Sequence, residues 1–218
     1  MKRSKTSKAW MHEHVTDPYV RRAKADGYRS RAAYKLIEID DREHLIRPGD
    51  TIVDLGAAPG GWSQVAAQRL KGRGRVLALD LLPMNNIPGV QFIQGDFREE
   101  SALRQLKDLL TDTRARLVLS DMAPNVSGVP ISDQARIIHL AEIGLDFCRL
   151  WLEPEGAFLV KLFQGVGYDD FVREMKSVFR QVTTRKPKAS RDRSSEIYLI
   201  GREVKFNGLE WTPRFPGA

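Results

Sequence analysis

Apolar residues along this chain follow two rhythms. Short apolar runs recur at 51–55 (TIVDL), 75–80 (RVLALD), 90–93 (VQFI), 116–121 (RLVLSD), 156–162 (GAFLVKL), 181–185 and 196–202 (EIYLIGR), and each reads as a strand. Between most of them lie stretches with the 3.6-residue apolar spacing of a helix, at 61–70, 99–111, 132–152 and 169–179. A further helix, RAAYKLIEIDD, precedes the first strand, with Ser30 as its expected N-cap. Alternating strands and helices predict an α/β fold: a mostly parallel sheet with right-handed crossovers and helices on both faces. The last two strands are joined by a loop without a helix, so the final strand of the seven is expected to run antiparallel.

The 218 residues fit one such domain with a full core, and 42% apolar with 29% charged residues is ordinary for a globular protein. The expected organisation is an N-terminal extension (1–29), one domain (30–202) and a tail (203–218). Cys148 is the single cysteine, which excludes a disulfide framework and a thiolate metal cluster. No apolar run approaches membrane-spanning length and the start of the chain does not read as a secretory signal, so a cytoplasmic protein without membrane contact is expected.

Charge changes the picture. The net charge is +7. Residues 1–35 hold ten Lys/Arg and three Asp/Glu, and 36–218 hold 25 of each, so the whole excess lies in the N-terminal segment. A second basic cluster, Arg180 to Arg193, has six Lys/Arg against Asp192. Either run alone is equally well read as a solvated surface. Together they point to a nucleic-acid partner, with Arg29, Arg31, Arg191 and Arg193 as candidate RNA contacts.

The chemistry begins where the first strand ends, at Asp54-Leu55-Gly56-Ala57-Ala58-Pro59-Gly60-Gly61-Trp62-Ser63. Strand, small-residue turn and helix build a nucleotide pocket, because small side chains admit the ligand to the backbone and a helix N-terminus offers free N–H groups. Such turns also occur for packing alone. Ala58 and Pro59 break the G-x-G-x-x-G spacing, and Pro59 removes an N–H that a pyrophosphate would use. The turn therefore suits a ligand without a diphosphate, such as S-adenosylmethionine (SAM).

Carboxylates follow four successive strands: Asp54, Asp80, Asp96 and Asp121. A lone Asp in such a place is usually a turn former. Four in one half of a sheet are harder to assign to turns. Asp80 stands where an acid bonds ribose hydroxyls, and Asp96 where it reaches an adenine amino group. Lys161 sits inside the apolar run of strand five, where an ammonium is costly unless paired. It either snorkels from the strand end or is held beside carboxylates for proton chemistry. Glu196 opens the last strand and Lys35 lies on the first helix; alone, each reads as a surface residue.

Taken together the chain resembles the FtsJ/RrmJ family of heat-shock ribosomal RNA 2′-O-ribose methyltransferases. The likeness rests on SRAAYKL at 30–36, DLGAAPGGWSQ at 54–64, LLPM at 81–84, GDFR at 95–98, SDMAPNVSG at 120–128, KLFQG at 161–165 and SRDRSSEIY at 190–198, in register over about residues 10 to 202. It implies the SAM-dependent methyltransferase form of the Rossmann-like fold. It also implies a Lys-Asp-Lys-Glu catalytic tetrad at Lys35, Asp121, Lys161 and Glu196. SAM contacts are implied at Gly60, Trp62, Asp80, Asp96 and Asp121, with no metal. The implied substrate is a uridine in the A-loop of large-subunit ribosomal RNA, modified on the assembled large ribosomal subunit by a monomeric enzyme. Lys161 then acts either as a neutral base or as a cation stabilising the developing alkoxide. Lys35 would depress its pKa while Asp121 and Glu196 raise it, and the sequence leaves the net sign open.

Competing readings fare worse on the residues. Amino-group methylation favours Asn/Asp-Pro-Pro-Tyr/Phe after strand four, whereas this chain has Asp121-Met122-Ala123-Pro124. Methylation at C5 of a pyrimidine needs a nucleophilic cysteine in that region, and Cys148 is misplaced. A dehydrogenase would want G-x-G-x-x-G. A non-catalytic RNA-binding or ribosome-assembly protein has no need of a lysine inside strand five. Transfer-RNA and cap 2′-O-methyltransferases share the tetrad and remain the alternative substrates.

Overall fold

The computed structural model describes residues 17–110, 113–124, 129–191 and 194–205. The basic residues 1–16, residues 125–128 of the loop after strand four, Arg193 and the tail from 206 lie outside the described residues.

Among the described residues two short helices come first, α1 (Pro18–Ala25) and α2 (Ala33–Glu43). Then follow β1 (Thr51–Leu55), α3 (Gly61–Leu70), β2 (Arg75–Asp80), β3 (Val90–Gln94), α4 (Glu100–Leu110) and β4 (Ala115–Ser120). The chain continues with α5 (Pro130–Trp151), β5 (Leu152–Phe163), α6 (Tyr168–Val178), β6 (Phe179–Arg185) and β7 (Glu196–Val204). The seven strands form one sheet in the order β3-β2-β1-β4-β5-β7-β6, and β7 pairs antiparallel with both its neighbours, as expected.

Side-chain alternation divides the sheet between two helical layers. On β5, Phe158, Val160 and Leu162 face α4, α5 and α6, joining Leu106, Leu145, Cys148, Phe171 and Met175. Leu159 faces the opposite layer with Tyr198 and Ile200, against Leu36 of α2 and Trp62, Val65 and Leu70 of α3. Lys161 continues this second series. Each helix buries one stripe: Ala102, Leu106 and Leu110 recur every four residues on α4. Full burial of a Leu, Ile or Phe side chain contributes roughly 1.5–3 kcal/mol, so the double-sided sheet is what holds the reaction edge rigid.

Two details differ from the sequence reading. Ser30 does not cap α2. Residues 30–33 make a tight turn, Ala32 occupies the cap position in helical geometry without a side-chain cap bond, and α2 begins at Ala33. The segment before residue 30 also contains a helix. Asp17 caps α1 by accepting the Tyr19 N–H at 2.9 Å, and Pro18 sits in the first turn, where its missing donor does no harm. Ala23 of α1 packs with Tyr34 of α2 and Ala189 of the β6–β7 loop.

Candidate active site

The carboxyl ends of β1, β2 and β4 open on one edge of the sheet, and so does the start of the reversed strand β7. On β7, Glu196 pairs with Phe163 and Tyr198 with Lys161. All four therefore share a face, and Glu196 and Lys161 project toward α2, which carries Lys35.

Lys161 is buried, 8% exposed, and does not snorkel. Its Nζ lies 2.8 Å from Asp121 Oδ1 and donates to the Asp121 main-chain oxygen at 2.7 Å. Asp121 is placed by its own N–H, which bonds the Leu55 carbonyl of β1 at 3.1 Å. Lys35 Nζ sits between the two Glu196 oxygens, 2.7 Å from Oε1 and 2.8 Å from Oε2. Glu196 Oε1 also accepts from Ser190 Oγ at 2.8 Å and from the Tyr198 hydroxyl at 3.0 Å. Burial pushes the Glu196 carboxyl up. The Lys35 charge and hydrogen bond, the Ser190 bond and the Lys161 charge outweigh it and hold the group below the usual carboxylate range. Burial, together with the charges of Asp121 and Glu196, pushes the Tyr198 phenol well above its ordinary value, so it stays a neutral donor. The structure thus joins two ion pairs, Lys161–Asp121 and Lys35–Glu196, across one sheet edge. Neither Ser190 nor Tyr198 was singled out in the sequence, although Tyr198 stands two positions from Glu196 on the same strand face.

The expected cofactor residues lie along the other half of this edge. Asp80 Oδ2 accepts the Ala58 N–H at 2.9 Å and Oδ1 accepts the Leu82 N–H at 2.8 Å. Each oxygen keeps acceptor capacity, which suits a pair of hydroxyls. Gly60, at φ 107°, turns the chain into α3, and a Cβ there would come within 2.6 Å of Ile87 Cδ1. Gly56, at φ 75°, lets Met122 approach so closely that a Cβ would stand 2.8 Å from the Met122 Cα. Gly56 thus brings the loop after β4, and Gly60 the segment after β2, close against the turn after β1, as a close-fitting nucleotide pocket requires. Leu81 and Leu82 stay 59% and 64% exposed beside Asp80, an apolar surface of the kind an adenine covers. The donors, acceptors and close backbone approach fit a nucleoside-like group.

The Trp62 side chain is not free to line this half. Its indole is buried against Tyr198, and its Nε1–H bonds the Ala32 carbonyl at 2.9 Å. Asp96 is already engaged: Arg98 forks onto both its oxygens, and this bond first of all holds the carboxyl below its ordinary value.

Asp54 lies behind both halves, fully buried. Ser63 Oγ donates to its Oδ2 at 2.6 Å while Oδ1 has no partner. Burial, with smaller contributions from the charges of Asp121 and Asp80, raises its carboxyl to about 7. A group raised on folding stabilises the protein in full below its unfolded pKa of about 4 and loses that contribution as pH rises through about 7. Asp54→Asn cannot ionise. Urea unfolding at several pH values is therefore expected to show the variant gaining on the parent as pH rises from about 4 to about 7. A constant difference would remove the buried proton from the account.

The four candidate RNA arginines are placed differently. Arg29 donates to the carbonyls of Asn85 (2.6 Å), Asn86 (2.7 Å) and Pro59 (3.3 Å). Arg31 pairs with Asp17 at 2.6 Å and bonds the Ala189 carbonyl. Arg191 approaches the same Asp17 oxygen at 3.4 Å. Arg193 lies outside the described residues. Among the described residues no group of His, Cys, Asp and Glu is arranged to hold a metal ion, and no helix is long and apolar enough to cross a membrane.

The seven-stranded sheet with its reversed strand is Rossmann-like, and the family the chain belongs to makes the protein a methyltransferase. The FtsJ-like methyltransferase family matches residues 28–204, and the chain belongs to that family. Among its relatives is the ribosomal RNA large subunit methyltransferase E of Nitrosospira multiformis, 63% identical over 201 residues, which cover 92% of this chain and 98% of that one. The protein of the same name from Dechloromonas aromatica is 60% identical over 205 residues, covering 94% of this chain and all of the relative. A crystal structure described as a ribosomal RNA methyltransferase from Plasmodium falciparum superposes with a TM-score of 0.74 at 32% identity, covering 81% of this chain and 98% of the other.

Proposed function

We propose that this protein transfers the methyl group of SAM to the ribose 2′-oxygen of a uridine in large-subunit ribosomal RNA. The observation that carries the chemistry is Lys161, an ammonium-bearing side chain buried in a strand and held on Asp121 beside the Lys35–Glu196 pair. The relatives' shared name supports the large-subunit RNA as substrate. The family likeness implies the A-loop uridine, modified once the large ribosomal particle is assembled.

The ribose hydroxyl is a very weak acid and a poor nucleophile. SAM supplies a methyl already activated on a sulfonium. Transfer forms the O2′–carbon bond, breaks the carbon–sulfur bond and removes the hydroxyl proton. Asp121 holds Lys161 Nζ by a hydrogen bond to its main-chain oxygen and by the charge of Oδ1, and Nζ keeps hydrogen-bonding capacity for O2′. Lys161 there orients O2′ and either accepts its proton or stabilises the oxyanion. Glu196 fixes Lys35 near that charge. Asp80 holds the cofactor ribose, and Gly60 and the Trp62 backbone shape its pocket. Ribosomal RNA mapped for 2′-O-methyl groups after reaction with SAM, with and without the protein, tests the assignment. A single new 2′-O-methyluridine is expected, in the A-loop of the large-subunit RNA. Methylation of a base, or of transfer RNA or cap in preference to large subunits, would overturn it.

The RNA backbone is assigned to the basic N-terminal residues with Arg191 and Arg193. Arg29 would reach it in competition with its present partners, whereas Arg31 is engaged by Asp17 and the Ala189 carbonyl. Deleting residues 2–9 removes Lys2, Arg3, Lys5 and Lys8. Phosphate contacts release counterions, so the deletion is expected to weaken RNA binding and to flatten its log–log salt slope by up to about 3, with SAM binding unchanged. An identical slope would mean that this segment does not touch RNA.

A further inference from the structure

The loop between β6 and β7 is held from outside the four residues of the proposed reaction. Ser190, 5% exposed, supplies one of the bonds that fix Glu196. Its own position is set by two helices. Glu38 on α2 accepts the main-chain N–H groups of Lys188 at 2.6 Å and Ala189 at 3.1 Å. Arg31 holds the Ala189 carbonyl, and Asp17 holds Arg31. Asp17 is itself buried, 8% exposed, and caps α1. A continuous path of bonds therefore runs from the start of α1 through Arg31 and Ala189 to Ser190, Glu196 and Lys35.

We propose that Asp17 is a positioning residue for methyl transfer: it keeps Arg31 on the Ala189 carbonyl, and so fixes Ser190 and the Glu196 carboxylate opposite Lys35. Helix α1 thereby belongs to the working site, although the family match begins only at residue 28. The inference rests on reading Lys35, Asp121, Lys161 and Glu196 as the reacting group.

The physical reason is the state of Arg31. Its side chain is 17% exposed and its Nε is buried without a partner, so Asp17 is its charge compensation. A poorly solvated guanidinium that loses its counter-charge turns toward water. Arg31 would then leave Ala189, and the hydroxyl of the next residue would lose its registration on Glu196. Reactions that depend on fixed charges are sensitive to displacements of this size.

Asp17→Asn separates this role from helix capping, because an amide oxygen caps a helix as well as a carboxylate does while the charge is lost. The full-length protein is assayed with SAM and large subunits that lack the modification. Asp17→Asn is expected to lower kcat by about tenfold or more while the Kd for SAM stays unchanged. Ser190→Ala is expected to do the same, and the double variant to be no slower than the slower single one, since both act along one path.

A merely structural role would not move the pH profile. Glu196 faces Lys35 from α2, Lys161 from β5, Tyr198 from its own strand and Ser190 from the loop. Loss of the Ser190 bond removes one stabiliser of the charged carboxylate, so the acid limb of the rate profile should move to higher pH in both variants. Wild-type kcat in Asp17→Asn, multiplying losses in the double variant, or an unmoved acid limb would each overturn the proposal. Should Asp17→Asn fail to fold, an unmoved limb in Ser190→Ala alone overturns it. An active Lys161→Ala would instead refute the reading of the site, whereas an inactive Lys161→Ala beside a fully active Asp17→Asn refutes only the positioning role.

Discussion

Lys161→Ala is expected to lose methyl transfer by about 10²–10⁴-fold, the range that a positioned proton-transfer group contributes. Its Nζ meets Asp121 and not Asp80, the carboxylate assigned to the cofactor ribose. SAM affinity should therefore stay within about twofold, which separates a loss in the transition state from a loss of cofactor binding. The substitution also strips Asp121 of its counter-charge, so folding must be checked by thermal melting beside the rate. Asp121 is only partly buried, which moderates that penalty. Lys35→Ala and Glu196→Ala should act in the same direction and less severely. More than about a tenth of the parent rate in a folded Lys161→Ala would rule out the role assigned to it.

Asp80→Ala should act on the opposite step. Its carboxylate organises the turn after β1 through the Ala58 N–H and the segment after β2 through the Leu82 N–H, and both oxygens retain room for ribose hydroxyls. Hydrogen bonds to a charged group contribute roughly 1.5–3 kcal/mol, so SAM affinity should fall at least about tenfold. Calorimetry in EDTA measures this directly. An unchanged Kd would remove Asp80 from the cofactor site, whatever happened to the rate.

Much of this architecture is legible in the sequence, for a local reason. Strands buried on both faces must be nearly continuous apolar runs, so β1 and β2 match the sequence reading residue for residue. Lys161 stands out because it interrupts such a run. β5 begins earlier than expected, at Leu152, because Glu153, Pro154 and Glu155 hide its start. Helix α1 escapes notice because it buries only Val20 and Ala23, too few to impose a period. Ser30 has the chemistry of a cap, yet the tight turn at 30–33 moves the helix start two residues on, from Arg31 to Ala33. The partners of the reacting side chains are the least legible. Lys35 and Glu196 are 161 positions apart, and only the closed sheet shows that they meet.

The reversed direction of β7 separates two design problems that a wholly parallel sheet would leave entangled. In a parallel strand, the residue at the reacting edge comes last, and the loop beyond it must run on into a helix on the sheet's flank. Because β7 runs the other way, its first residue, Glu196, arrives at that edge with the preceding loop, whose described residues from Lys186 form no helix. Changes in this stretch that keep Ala189 and Ser190 in place leave β1, β2 and the glycine turn where they are. Exchange of this loop between related proteins would thus be a modular route to new RNA targets, with the methyl-donor half of the molecule inherited intact.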